Sequence, residues 1–520
     1  MSAAGATFNP AVVHKEVPHR ALITACTMIA TLMQALDSTI ANVALPYMQG
    51  SLSASYDEIT WVLTSYVIAA AIMTAPVGWL TARFGQKRLY LVSVIGFTVA
   101  SVACGIATSL GEMVVYRFIQ GVFGAALVPL SQGTMLNIYP AEKRASAMAL
   151  WGMGVMVGPI LGPTLGGYLT ELYNWRYVFF VNVPVGAAAA AGLWLFMQEG
   201  NPRAGLRFDW FGFAAFAVGL AGLQLMLDRG ETKDWFGSTE IILEAVVAVA
   251  GFYTFFVHML TAQRPFITPA IFKDRSFLGG TIIMFVIGMV LLASSALLAP
   301  WLQELGNYPV ETAGLLLAPR GLGTMLAMVF AGRLSNRVDP RYLIGFGVVL
   351  MWWSMWRLSG WTPAVSEGTL IVNTMVQGFG MGFVFVPLSV AAFATLPAHL
   401  RYEGTALFSL LRNVGSAIGI SIFEAMITNG TEVEHSVLAP FASPLNRALE
   451  AAPGVAHSLD PATAHGAAAL DQMIQFQSQV IAYNNDYWLM GIGALPMLLV
   501  LPLMRRPPRA AGSAAHVAMD

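Results

Sequence analysis

The chain has 520 residues, of which 57% are hydrophobic and only 11% charged, with a formal net charge of -1 and a mean hydropathy of +0.65. Soluble domains hold about 25% charged residues, so a string of them is excluded. The near-neutral balance also excludes the concentrated basic surface that nucleic-acid binding needs.

Long, almost charge-free stretches recur from Ala21 to Met504, and about 20 such residues cross a bilayer as a helix. Open strand edges are not tolerated in hydrocarbon, so the pattern predicts an all-α polytopic membrane protein. Residues 1–20 are polar and are expected to form a cytoplasmic N-terminus. The apolar run that follows is too long for a signal-peptide core and lacks a small-residue cleavage site. Spans are expected near 21–45, 58–78, 88–108, 112–136, 144–168 and 176–198, an N-terminal six-helix bundle over 21–198. Two inserted spans near 208–227 and 238–259 lie within 199–275. A C-terminal bundle over 276–504 has spans near 276–300, 311–332, 341–358, 366–390, 404–428 and 486–504, which brings the expected total to fourteen. It includes an external segment, 429–485, and 505–520 form a cytoplasmic tail. Most basic residues, among them Arg83, Lys87, Arg88, Lys143, Arg144, Arg333, Arg337, Arg401 and Arg505, fall on one side of this topology. The positive-inside rule therefore places both termini in the cytoplasm. Cys26 and Cys104 sit inside apolar runs and read as small core residues, not a disulfide.

The chain repeats itself. GWLTAR at 78–83 returns as GRLSNR at 332–337. PAEKRASAMAL at 140–150 returns as PAHLRYEGTAL at 397–407, and Gln120-Gly121 returns as Gln377-Gly378, both offset by 257. Two six-helix halves of the same orientation follow, with the two extra helices inserted between them. Parallel repeats of this kind belong to secondary transporters that rock two bundles about a central site.

Asp37 is the sharpest single signal. It lies about 16 residues into the first span, roughly 24 Å along a helix rising 1.5 Å per residue, and an ionisable residue at that depth is a functional-site hypothesis by default. Desolvation penalises the charged form, so such an acid is suited to take up and release a proton. The alternative is an acid permanently paired with Arg or capping an unwound turn. Arg117, in the fourth span, carries a guanidinium whose approach would favour proton release. The two suggest a switch that loads when they separate and discharges when they close. Arg117 could also serve only to anchor helices through carbonyls. Its counterpart in the second half is Thr374, so any coupling is asymmetric. Gly154, Gly158, Gly162 and Gly166 make one smooth helical stripe beside Pro159 and Pro163, suited to close helix approach and bending. Arg320, Arg412 and Glu424 are further intramembrane charges; each could face a cavity or be locked in a pair, and Glu424 is a reserve proton carrier. Twenty-seven Met and thirty Phe suit adaptable apolar walls, as they also suit lipid-facing helices. In the segment 429–485, residues 466–483 read as an amphipathic helix with Leu470, Met473, Phe476 and Val480 on one side. His435, His457 and His465 are too irregularly spaced for a metal site.

LDSTIANVALP (36–46), GWLTARFGQKR (78–88), RFIQGVFGAALVPLS (117–131), GVMVGPILGPTLGG (154–167) and LQLMLDRGETKDWFGSTEI (223–241) together resemble the major facilitator superfamily. The likeness is to its fourteen-span drug:proton antiporters of the EmrB-like branch, and it covers 15–505. It implies the major facilitator fold and proton-driven multidrug export of lipophilic or amphiphilic compounds across a bacterial inner membrane, with no cofactor beyond the proton. It further implies a gating loop carrying Gly78, Arg83, Gly85 and Arg88. Residues 154–167, with Gly154, Gly158, Pro159, Gly162, Gly166 and Gly167, would form the antiporter seal. Partners implied are a periplasmic membrane-fusion adaptor of EmrA type and an outer-membrane channel, which the segment 429–485 would meet unless it caps the transporter itself. Ala82 stands where that loop usually has an acid. Two rivals are a transporter of one metabolite with the same fold and a membrane-embedded enzyme. No G-x-S-x-G elbow context or metal cluster favours the enzyme, and an ATP-driven pump would need a GxxxxGK[ST] loop that is absent from the sequence.

Overall fold

A computed structural model describes residues 18–199, 202–203, 205–335, 337–441 and 463–504, and every regular element among them is helical. The N-terminal half comprises α1 Arg20–Ser51, α2 Trp61–Thr74, α3 Val77–Phe84, α4 Gln86–Ile106, α5 Leu110–Ile138, α6 Ala141–Leu172 and α7 Tyr177–Phe196. The inserted pair is α8 Trp210–Arg229 and α9 Thr239–Thr261. The second half holds α10 Arg275–Leu305, α11 Val310–Leu334, α12 Pro340–Leu358 and α13 Glu367–Phe393, then α14 Ala398–Phe441 and α15 Ala464–Leu503.

Twelve helices are long and apolar enough to cross a membrane, or thirteen if the bent pair α2–α3 counts as one span. The expected fourteen includes α12, which is a 19-residue helix but carries Arg341, Arg357 and the interfacial rings of Trp352, Trp353 and Trp356, residues that lower its hydropathy. Three other expectations shift. The second span breaks at Ala75-Pro76, where α2 and α3 diverge by 58°, since Pro76 supplies no amide hydrogen to continue the ladder. The stretch read as a gating loop is therefore mostly helix; the chain turns only at Gly85, whose φ of 89° suits a residue without Cβ. The external segment is helical at both ends: α14 runs on to Phe441, and a continuous helix over Ala464–Ala494 joins the amphipathic stretch to the last span. Leu470 and Val480 are buried there, whereas Met473 is exposed. His435 of α14 bonds Asp471 of α15 at 2.9 Å. His457, the ends 1–17 and 505–520, and residues 442–462 lie outside the described residues.

The glycine stripe explains how α6 lies on α1. A Cβ at Gly158 would strike the backbone of Ala35, one at Gly162 the hydroxyl of Thr39, and one at Gly166 the carbonyl of Ile40; at Gly154 it would meet the Met28 methyl, and Gly167 faces open space. Pro159 and Pro163 sit inside this helix, where each removes one backbone donor.

The halves meet at the end bearing the basic loops. Arg401 Nη1 donates to Asn137 Oδ1 at 2.9 Å, Thr405 Oγ1 to the carbonyl of Pro129 at 3.0 Å, and Gly78 lies against Glu403 closely enough to leave no room for a side chain. The inserted pair sits beside this junction. α8 packs on α2 of one half and α14 of the other, while α9 packs on α8 and shows Leu243, Val249, Tyr253 and Leu260 outward.

Candidate functional site

Asp37 and Arg117 come together, both fully buried. Arg117 Nη1 donates to Asp37 Oδ2 at 2.8 Å, and its Nε donates to the carbonyl of Val62 at 3.1 Å. The other carboxylate oxygen accepts from Gln120 Nε2 and Asn182 Nδ2, each at 2.8 Å. Gln120 also accepts from Arg117 at 2.7 Å, and Asn182 donates to Ser101 Oγ at 2.9 Å. Four helices, α1, α4, α5 and α7, thus close on one acid. Every neighbour donates to it, so the arrangement suits the carboxylate form, with both oxygens satisfied as a buried charge requires. Sequence reasoning missed Gln120 and Asn182. Gln120, one turn beyond Arg117, shows in the sequence only within the Gln-Gly repeat and the 117–131 motif.

The pair reaches the centre of the protein through an aromatic ring. The Arg117 guanidinium lies 4.4 Å from the centroid of Tyr66, a cation–π distance, and the Tyr66 hydroxyl accepts from Gln34 Nε2 at 3.1 Å. Gln34 and Tyr66 line a cavity of about 640 Å³ between the halves, together with Met156 and Pro159 of α6 and Met328 and Phe385 of the second half. A cavity of that size holds a drug-sized ligand. Its charged lining is Arg412, Glu424 and Asp228. Asp228 comes from the inserted helix α8 and accepts from Thr64 Oγ1 at 2.5 Å. In the sequence Asp228 is one of several acids in the stretch 223–241, with nothing to mark it as a cavity residue.

Other expected residues fall elsewhere. Arg320 does not line this cavity: it donates to the carbonyl of Leu291 at 2.9 Å, in a π-helical turn, Gly288–Leu292. Such a turn leaves a carbonyl without its usual helical donor, and the guanidinium supplies one. Arg88 pairs with Glu199. Arg83 lies in the last turn of α3. The carbonyl of Ala82 accepts from Arg203 N at 2.8 Å, so the backbone at this position holds the linker to the inserted helices. Glu403 of α14 lies at this junction and accepts from Thr268 N at 2.5 Å and Thr268 Oγ1 at 3.1 Å. No group of three or more His, Cys, Asp or Glu is placed to hold a metal among the described residues.

The model of the Major Facilitator Superfamily matches residues 27–420. The chain is 36% identical over 493 residues to the multidrug export protein EmrB of Escherichia coli (strain K12), covering 94% of this chain and 96% of that one. It is 31% identical over 500 residues to the fatty acid resistance protein FarB of Neisseria gonorrhoeae, covering 95% and 98%. Two solved structures share its fold. They are the human organic anion transporter MFSD10 (TETRAN), with a TM-score of 0.62 and 12% identity over 93% of this chain and 100% of that one, and the proton:xylose symporter XylE, at 0.59 and 16% over 93% and 95%. Fold, repeat and relatives agree: the chain belongs to the major facilitator superfamily, a family of membrane transporters rather than enzymes.

Proposed function

We propose that this protein is a proton-driven multidrug exporter, in which protonation of Asp37 and substrate binding in the central cavity exclude one another. The observation that carries the reading is the contact from the cavity through Tyr66 to Arg117 and Asp37. Once the drug has left, the guanidinium withdraws and Asp37 takes a proton from the outside; a drug that then enters the cavity against Gln34 and Tyr66 presses the guanidinium back onto Asp37. Return of Arg117 expels that proton inward. Where the drug is neutral, one net charge crosses 100 mV and releases about 2.3 kcal/mol, enough for roughly a fiftyfold drug gradient; where it is a monovalent cation the exchange is electroneutral and the pH gradient drives it. The relatives' names support multidrug export over a single metabolite, as does a cavity walled by Met156, Met284, Met328 and Met381, flexible side chains that repack around varied ligands. Asp228 and Glu424 supply attraction for cations there.

The finer reading has fourteen spans with α12 as one of them, both termini in the cytoplasm, and residence in a bacterial inner membrane. The α14–α15 extension would face the periplasm and meet a membrane-fusion adaptor of EmrA type leading to an outer-membrane channel. Inverted vesicles test the coupling: drug addition releases protons with wild type, and Asp37→Asn abolishes that release while drug binding persists. Undiminished proton release in the variant removes Asp37 from the mechanism. Deletion of 442–462 tests the partner, since adaptor co-purification is lost if that segment makes the contact.

A further inference from the structure

A second cavity, of about 510 Å³, opens between the outer parts of α14 and α15. It shares no lining residue with the central one, because the α14 residues that line it, such as Asn429 and Val433, project from a different face than Asn413 and Glu424 do. Its polar lining is Asn429, Glu434, Asn485 and Asp486, with Trp488 and Leu489 among its apolar part, and it contains no Lys, Arg or His.

Asp486 is the unusual member. It is only 2% exposed, yet neither carboxylate oxygen has a hydrogen-bond or ion-pair partner among the described residues, and Oδ2 is wholly enclosed. Burying a polar group without a partner costs about 1–3 kcal/mol, and far more if it is charged. Asp37, by contrast, sits among three donors. The neighbouring histidine does not serve, since His435 is bonded to Asp471. A carboxyl so placed lacks a cation, and the groove supplies what one with an apolar body would need: two acids, two amides and the exposed indole of Trp488, whose face attracts cations. The position fits as well. From Asp486 to the end of α15 at Leu503 is about 26 Å at 1.5 Å per residue, which sets the groove near the outer boundary of the hydrocarbon core.

We infer that the groove between α14 and α15, with Asp486 at its base, binds the ammonium or phosphonium head of an amphiphilic cation at the outer membrane boundary, separately from the central cavity. The shared chemistry admits two sources, a drug-like cation or the amine head of a phospholipid.

The test is equilibrium binding of tetraphenylphosphonium to the full-length protein in detergent, with monodispersity and thermal unfolding recorded for each variant. Wild type binds at two classes of site. Asp486→Asn, which keeps size but not charge, loses one class or weakens it by about tenfold or more, equivalent to 1.4 kcal/mol, and keeps the other. Glu424→Gln perturbs the central class and leaves the Asp486-dependent one intact. Trp488→Ala weakens the same class as Asp486→Asn, which guards against a variant that fails to fold. Repeating the titration in nanodiscs separates the sources. Loss of the Asp486-dependent class in phosphatidylethanolamine but not in phosphatidylglycerol identifies an aminolipid, whereas binding in both identifies a drug-like cation. Unchanged binding of both classes in Asp486→Asn overturns the inference and leaves the central-cavity reading standing.

Discussion

The two halves are copies in packing and strangers in charge. At the offset of 257, Gly158 and Gly162 of α6 answer to Gly415 and Gly419 of α14. The first pair admits α1 at Ala35 and Thr39, and the second admits α10 at the carbonyls of Phe285 and Met289. Close helix approach is therefore common to both halves. At the same offset Asp37 answers to Ser294, Arg117 to Thr374 and Gln120 to Gln377. Gln377 Nε2 donates to Ser294 Oγ at 3.3 Å, a neutral echo of the 2.8 Å bond from Gln120 to Asp37. Thr374 turns back on its own helix, donating to the Leu370 carbonyl. Duplication preserved the scaffold, and one copy alone carries the ionisable pair.

The sharpest way to break this comparison is to make the first half like the second. Asp37→Ser leaves Arg117 buried without its counter-charge, so proton-linked transport is lost and stability falls by about 3–5 kcal/mol, read by thermal unfolding. Retained drug-induced proton release would mean that the charged copy is not the coupling copy. The converse change is Ser294→Asp, which buries an acid opposite Thr374. It costs a similar amount, and adding Thr374→Arg recovers at least about 1 kcal/mol of it; no recovery would show that the second half lacks room for the pair. The packing comparison predicts parity instead. Gly158→Leu and Gly415→Leu each cost about 1–3 kcal/mol by overpacking, and a large disparity would show that the stripe has a role in one half beyond approach. The smallest contrast lies in the amides. Gln120→Ala costs about 1.5–3 kcal/mol, as expected for hydrogen bonds to charged groups, whereas Gln377→Ala costs about 1 kcal/mol.

The architecture was largely legible because a bilayer demands long apolar helices and because duplicated motifs mark equivalent positions. What could not be read follows from geometry across helices. Asp37 stands out in an apolar run, but its donors Gln120 and Asn182 are 83 and 145 residues away, and amides in apolar spans carry no charge to draw attention. The sequence leaves Arg320 open between a cavity and a locked pair because it does not show which way a helix face turns. The loop around Gly78 read as a loop because its glycines suggested turns, whereas only Gly85 makes one. Asp486 does not stand out in the sequence because it lies at a span boundary, where an acid is unremarkable until its burial is known.

The placement of α8 has a mechanical consequence. The two halves meet along two lateral seams, one on each side of the bundle. Here α8 leans on α2 and α14 together and so stands across one of them. The opposite seam, between α6 and α11, is closed by direct contact instead: Gly321 meets Ile160 and Gly332 meets Ala149. The inserted pair thus leaves the two seams between the halves unlike, one bridged by a third helix and the other closed by the halves themselves.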